Sequence, residues 1–486
     1  MYLRKLKYSI SRYIFFINLS EDRIVFYMLF NSYEFIFLFF VPVFVAFNYI
    51  GNYRAKVWFL VLVSIVFYAQ WSLVHLAILL LSIVLNYFIS WVLVSFRYQK
   101  TILFFGIGTN LAPLVYFKYS YFLHLSSEQL VLPLAISFFT FQQIAYLVDL
   151  YKKRISFGDF KEYALFILFF PQLVAGPIVH YKEIVPQIEN SFKTKIKDSF
   201  VVAGLILFCI GLFKKVVLAD SFAPVVDSAF LNIETISSYD AWIGIFSYTF
   251  LIYFDFSGYA DMAIGLALMF GVRLPSNFNS PYKARNISEF WRNWHITLSN
   301  FLKDYIYIPL GGNRFGYLRQ ILSLVLTMVI GGIWHGAGWN FLLWGFMHGV
   351  FLAITHYFKT LLKKEFLFPR FVAVLITFFC VTLLWVLFRA QSFDIALKYY
   401  EVLFAFDLRF EFAYKNIVDV LYSKELLVFC GFVVVWFLPN SLMIIKYSSE
   451  KFDISYKKIF FAAILFFVAL KAMVSKAAAA FVYFNF

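Results

Sequence analysis

An all-α, polytopic integral membrane protein is the fold class this sequence predicts, on three observations. Of its 486 residues 63% are hydrophobic and only 14% charged, with a mean hydropathy of +0.79, far from the composition of soluble domains. The apolar runs are long and continuous, without the ten-residue alternation of an outer-membrane barrel. Helices are then the way a backbone satisfies itself in lipid, at roughly 20 residues per crossing of a ~30 Å core.

In chain order, Met1 to Phe30 mixes Arg4, Lys5, Lys7, Arg12, Glu21, Asp22 and Arg23 with aromatics. It is too polar for a span and reads as an interfacial segment. Apolar segments follow at Tyr33 to Ile50, Val57 to Gln70, Leu73 to Ser95, Thr101 to Phe117, Leu130 to Leu150, Tyr163 to Ile178 and Val201 to Leu218. The second half adds Ala241 to Phe270, Ile321 to Ile333, Phe341 to Tyr357, Phe371 to Phe388, Leu426 to Leu438 and Ile459 to Val474. Several are shorter than a crossing needs, so about eleven true spans plus re-entrant or short helices are expected. Pro171, Gly176 and Pro177 interrupt one segment and predict a broken helix there. With no internal repeat or flexible linker, residues 1–486 read as one membrane domain.

The net charge of +15 does not point to nucleic acid, because no basic aromatic groove accompanies it; basic loops between spans carry it instead. The connection Arg273 to Arg319, with Lys283, Arg285, Arg292, Lys303 and Arg314 between its ends, is assigned to the cytoplasm. The more acidic Asp394 to Lys424 is assigned to the opposite face. Cys209, Cys380 and Cys430 lie far apart in apolar sequence, which indicates neither a disulfide framework nor a zinc site. No cleavable signal peptide follows the basic start.

The chemistry concentrates between Pro275 and Gly349. Asn286 with Glu289 three residues on resembles a capping box, so a helix is expected from there toward Tyr305. On that amphipathic helix Trp291 and His295 share a face, with Arg292 nearby, and the segment reads as lining the mouth of a polar cavity that takes an anionic donor, or as an interfacial helix. His335 lies in apolar sequence among Gly331, Gly332, Gly336 and Gly338, flanked by Trp334 and Trp339. A histidine at membrane depth is expensive and faces a protein or water cavity. Asn340 follows with an amide able to fix a substrate or a tautomer, or to stabilise an oxyanion. His348, thirteen residues on, is expected to pack. Asp255 and Asp261, inside Ala241 to Phe270, are expected to be structurally paired, since burial disfavours a lone carboxylate.

Four stretches carry a resemblance: FFPQLVAGPIVHYKEIVPQI, FDFSGYADMAIGLALMFG, LPSNFNSPYKARNISEFWRNWHITLSNFLKDYIYIPLGGNR and IGGIWHGAGWNFLLWGFMHG. Together with PLAISFFTFQQIAYLVDLY and the terminal FVYFNF, they are similar to the bacterial branch of the membrane-bound O-acyltransferase family, in particular to alginate and peptidoglycan O-acetylating members. The resemblance implies a ring of helices around a central tunnel in a bacterial inner membrane, the main catalytic histidine at His335 and a second at His295. It implies O-acetylation of an envelope polysaccharide, with the acetyl group drawn from a cytoplasmic thioester. Acetyl-CoA is the expected donor, no tightly bound cofactor or metal is expected, and a periplasmic SGNH-type acetyltransferase is the expected partner. Trp334, Asn340, Trp291 and Arg292 are the expected substrate contacts. A transporter or flippase, a scaffold, and a D-alanyl transferase of a related envelope system are the alternatives.

Overall fold

The computed structural model describes residues 28–128, 130–361, 368–407, 423–449, 451–475 and 481. The interfacial segment expected at Met1 to Phe30 lies outside the described residues up to position 27. Most of the Asp394 to Lys424 connection after residue 407 lies outside them too, as does the terminal motif after Phe481.

All regular structure among the described residues is helical, apart from a single antiparallel bridge between Phe278 and Trp294. The first half comprises α1 (Glu34–Tyr49), α2 (Tyr53–Ala69), α3 (Leu73–Ser95), α4 (Gln99–Tyr119) and α5 (Ile136–Tyr151). Next come α6 (Phe160–Leu168), α7 (Phe170–Leu173), α8 (Tyr181–Lys193), α9 (Asp198–Leu231) and α10 (Ser238–Met269). Then follow α11 (Ile287–Asn293), α12 (Ile296–Leu302), α13 (Tyr317–His335) and α14 (Trp339–Leu361). The chain continues through α15 (Arg370–Arg389), α16 (Phe393–Leu403), α17 (Lys424–Phe437) and α18 (Tyr456–Ser475).

Seven of these helices are long and apolar enough to cross a bilayer: α3, α4, α9, α10, α13, α14 and α15. The protein is therefore a multi-pass membrane protein, although the expected count of eleven crossings is not confirmed. The interruption expected near Pro171 is present. The chain turns extended at Phe169 (ψ 103°) between α6 and α7. The groups freed there find side chains: Gln172 Nε2 donates to the Phe166 carbonyl (2.6 Å), and the Phe170 N–H donates to Ser64 Oγ (3.2 Å).

α10 is the axis of the bundle, with its whole apolar window buried. It packs against α9, α15, α16 and α17. α9 lies antiparallel to it, backbone against backbone at two pairs of glycines. A Cβ added to Gly204 would meet the Gly265 carbonyl at 2.5 Å, and one added to Gly211 would meet the Gly258 carbonyl at 2.6 Å. Small residues at such a crossing let backbones touch where lipid supplies no hydrophobic drive. α13 and α14 form a second tight hairpin, in which a Cβ on Gly345 would fall 2.3 Å from the Met328 carbonyl.

Asp255 and Asp261 of α10 are paired, and the partners are two consecutive lysines on a π-helical turn of α9 (Lys214–Ala219). Lys215 Nζ lies 2.8 Å from both Asp255 and Asp220, and Lys214 Nζ lies 2.7 Å from Asp261. The wider π turn lets adjacent residues face the same neighbour, which a regular α-helix, at about 100° per residue, does not. Lys214 thus meets Asp261, and Lys215 meets Asp255 and Asp220.

Candidate functional site

The helix expected from Asn286 toward Tyr305, read above as lining the mouth of a polar cavity or as interfacial, is folded with the preceding residues into the bundle interior. Phe278, Tyr282, Trp291, Trp294, His295 and Phe301 are all buried. Its first helix starts as expected: Asn286 Oδ1 accepts from the Glu289 N–H (2.8 Å). Only half of the capping box forms, because Glu289 reaches back to the Arg285 N–H (2.8 Å) and guanidinium (3.0 Å). Burial works against the Glu289 charge, but these bonds to Arg285 outweigh it and lower its pKa.

The expected continuous helix toward Tyr305 does not form. α11 stops at Asn293, His295 takes a left-handed conformation (φ 41°, ψ 55°), and α12 begins at Ile296. The cause is the strand-like piece 277–279 lying across the break. The Asn279 N–H donates to the Asn293 carbonyl (3.0 Å), and the Ile296 N–H donates to the Asn277 carbonyl (3.0 Å). Asn277 Oδ1 also accepts from the Thr297 hydroxyl at 2.6 Å. These bonds replace the helical ones and hold a non-glycine residue where the backbone costs about 1–3 kcal/mol, a condition found at functional sites. The kink separates the two residues expected to share a face. Trp291 turns away and donates from Nε1 to His348 Nδ1 (3.2 Å), which makes His348 a packing residue, as its sequence position suggested.

His335 is the last residue of α13, which ends because Gly336 is extended (φ −169°, ψ 157°). Its ring meets Trp344 edge-on at 5.2 Å and Phe388 at 5.0 Å, with Trp334 at 4.7 Å. His295 stands 6.4 Å from the same Trp334 ring, 4.8 Å from Phe256 and 6.5 Å from Phe138. The fold thus brings both predicted imidazoles to one indole, from sequence positions forty residues apart. Trp334 is itself stacked on Phe141 at 5.1 Å, and its Nε1 is buried without a hydrogen-bond partner among the described residues.

Both rings are buried: His335 is 3% exposed and His295 0%. Aromatic rings pack around both, most of them edge-to-face. Burial lowers the pKa of His295, which keeps its imidazole neutral.

Two expected substrate contacts stand elsewhere. Asn340 donates both amide hydrogens to the end of α15, at the Leu387 (3.0 Å) and Ala390 (2.9 Å) carbonyls, so its side chain has no N–H left for an oxyanion. Arg292 is exposed and bonds to the Ser288 carbonyl of its own helix (3.3 Å), away from the buried rings. Sequence reasoning missed Lys118 and Tyr119, whose side chains reach the Trp334 and Ile333 carbonyls at the end of α13. A lone lysine closing an apolar run was the available signal.

The profile of the membrane-bound O-acyltransferase family matches residues 150–394, which include both histidines. A peptidoglycan O-acetyltransferase of Helicobacter pylori is 44% identical over 418 residues, 77% of this chain and 79% of that protein. A probable alginate O-acetylase, AlgI, of Pseudomonas aeruginosa is 38% identical over 398 residues, 78% of this chain and 75% of that protein. A teichoic acid D-alanyltransferase of Bacillus subtilis is 24% identical over 290 residues, 56% of this chain and 72% of that protein. On the extent of these matches and an all-helical membrane fold, the chain belongs to the membrane-bound O-acyltransferase family.

Proposed function

We propose that this O-acyltransferase moves an acetyl group from a cytoplasmic thioester, acetyl-CoA, across the inner membrane for O-acetylation of a cell-envelope polysaccharide, with peptidoglycan as the first acceptor to test. The observation that carries the reading is the pair of buried imidazoles on one indole, in a chain 44% identical to a peptidoglycan O-acetyltransferase. A hydroxyl attacks a thioester poorly until a base removes its proton, and a neutral imidazole does this near physiological pH. His335 takes that proton as the acceptor oxygen bonds to the acyl carbon; the carbon–sulfur bond then breaks, and the proton leaves with the thiolate. Since Asn340 is committed to α15, the oxyanion falls to backbone N–H groups of the turn at Gly336. The aromatic packing keeps water from the thioester. A periplasmic SGNH-type acetyltransferase receives the acetyl group and completes the modification.

Mass spectrometry of envelope glycans from cells with and without the gene tests the reading, which requires acetyl esters to disappear with the gene. Unchanged esters would overturn it, and loss of D-alanyl esters instead would move the chain to the D-alanyl transferase class. For His295 the informative variant is His295→Asn, because asparagine tolerates the left-handed backbone while removing the imidazole. A drop of ~100-fold or more in acetyl transfer at normal membrane yield is expected. Wild-type turnover in that variant would make His295 a packing residue.

A further inference from the structure

We propose that Lys118 and Tyr119, adjacent residues at the end of α4, form a clamp on the last turn of α13 that positions the His335 imidazole for transfer. The inference rests on the assignment of His335 as the base.

An α-helix leaves its last four carbonyls without intrahelical partners, and its C-terminal end carries partial negative charge. α13 ends at His335, so the Ile333 and Trp334 carbonyls are among those four. The Tyr119 hydroxyl donates to the Ile333 carbonyl, and the Lys118 ammonium donates to the Trp334 carbonyl. The Trp334 carbonyl and the His335 N–H belong to one peptide group, so Lys118 holds the plane from which the His335 side chain springs. Its ammonium also lies 5.6 Å from the centre of the Trp334 ring, the indole that both imidazoles touch. Among the described residues no carboxylate pairs with Lys118, and its side chain is spent on this helix end and the Trp334 ring.

The clamp has a rigid base. Two turns before Lys118, Asn110 of α4 exchanges amide hydrogen bonds with Asn86 of α3 (2.6 and 3.1 Å). Asn86 in turn donates to Gln143 of α5 (2.6 Å), which accepts from Ser82 of α3 (2.7 Å). Interhelical amide bonds in apolar surroundings fix the register of α4, and through it the reach of Lys118.

The test uses everted membrane vesicles carrying the full chain, with acetyl-CoA as donor, envelope glycan enclosed in the lumen as acceptor, thiol release as readout, rates normalised to the amount of enzyme, and His335→Ala as control. Because misplacing a reacting group by ~1 Å costs on the order of 100-fold, Lys118→Met is expected to lower the apparent kcat ~30-fold, with the KM for acetyl-CoA within about twofold. Lys118→Arg, which keeps a donor and a charge, should recover to within about fivefold of wild type, and Tyr119→Phe should lose about fivefold in kcat. An unchanged kcat in Lys118→Met, a loss confined to KM, or Lys118→Arg as impaired as Lys118→Met would each overturn the clamp. If Lys118→Met does not accumulate, Tyr119→Phe decides, and full activity there overturns the clamp equally. An active His335→Ala would mean that the base assignment has failed; an inactive His335→Ala beside a normal Lys118→Met would remove the clamp alone.

Discussion

His335→Ala is expected to abolish acetyl transfer, by ~1,000-fold or more, while the protein still inserts and accumulates in the membrane. General-base catalysis contributes about 10²–10⁴-fold, and an alanine side chain neither takes a proton nor orients an acceptor hydroxyl. The fold should tolerate the change. His335 ends its helix, so no helical register depends on its side chain, and Trp344 and Phe388 continue to fill the space around it. Acetyl esters on envelope glycans and enzyme abundance in isolated membranes are the two measurements. Wild-type ester content in that variant would remove His335 from the chemistry. A His335→Gln variant separates an enzyme from a scaffold, because a scaffold keeps working when the base is replaced by a polar side chain of similar size.

The second large effect is on stability. Lys215→Met is expected to destabilise the protein by roughly 3–5 kcal/mol, because it removes the ammonium that Asp255 and Asp220 share and leaves Asp255, 1% exposed, without that cation. Thermal unfolding in detergent should show a marked fall in Tm. Adding Asp255→Asn to Lys215→Met should restore part of the loss, since the buried negative charge goes with its partner, and a double-mutant cycle measures the coupling. Equal Tm values for wild type and Lys215→Met would show that the pair contributes nothing to holding α9 against α10. Lys214→Met, which takes the cation from one carboxylate, Asp261, where Lys215→Met takes it from two, should have a smaller effect.

Much of the fold was legible because lipid imposes a simple rule. A backbone in hydrocarbon must bond to itself, so apolar length reports helices directly. The interruption near Pro171 was legible for a related reason, since proline removes a donor wherever it falls. The count of crossings was less so. Helices such as α2, α17 and α18 depart from a span in length or charge by little, and apolar length alone does not separate a crossing from a piece packed inside the protein.

The candidate site divides in the same way. By itself the sequence determined that this is an α-helical membrane protein and that its carboxylates at 255 and 261 need cations, and it singled out His335 and His295 as candidate site residues. Residue type and apolar surroundings are sufficient for those statements. Only the tertiary structure decided that the helix breaks at His295, that Trp291 serves His348, that Asn340 is tied to α15, and that Lys118 meets the end of α13. In each case a local preference lost to a partner from a distant stretch. Asn277 competes for the backbone of 296–297, the carbonyls of α15 take both hydrogens of Asn340, and a lysine 216 positions away reaches the Trp334 carbonyl. Hydrogen bonds go to whichever partner the fold brings within 3 Å or so, and chain order says little about which that is.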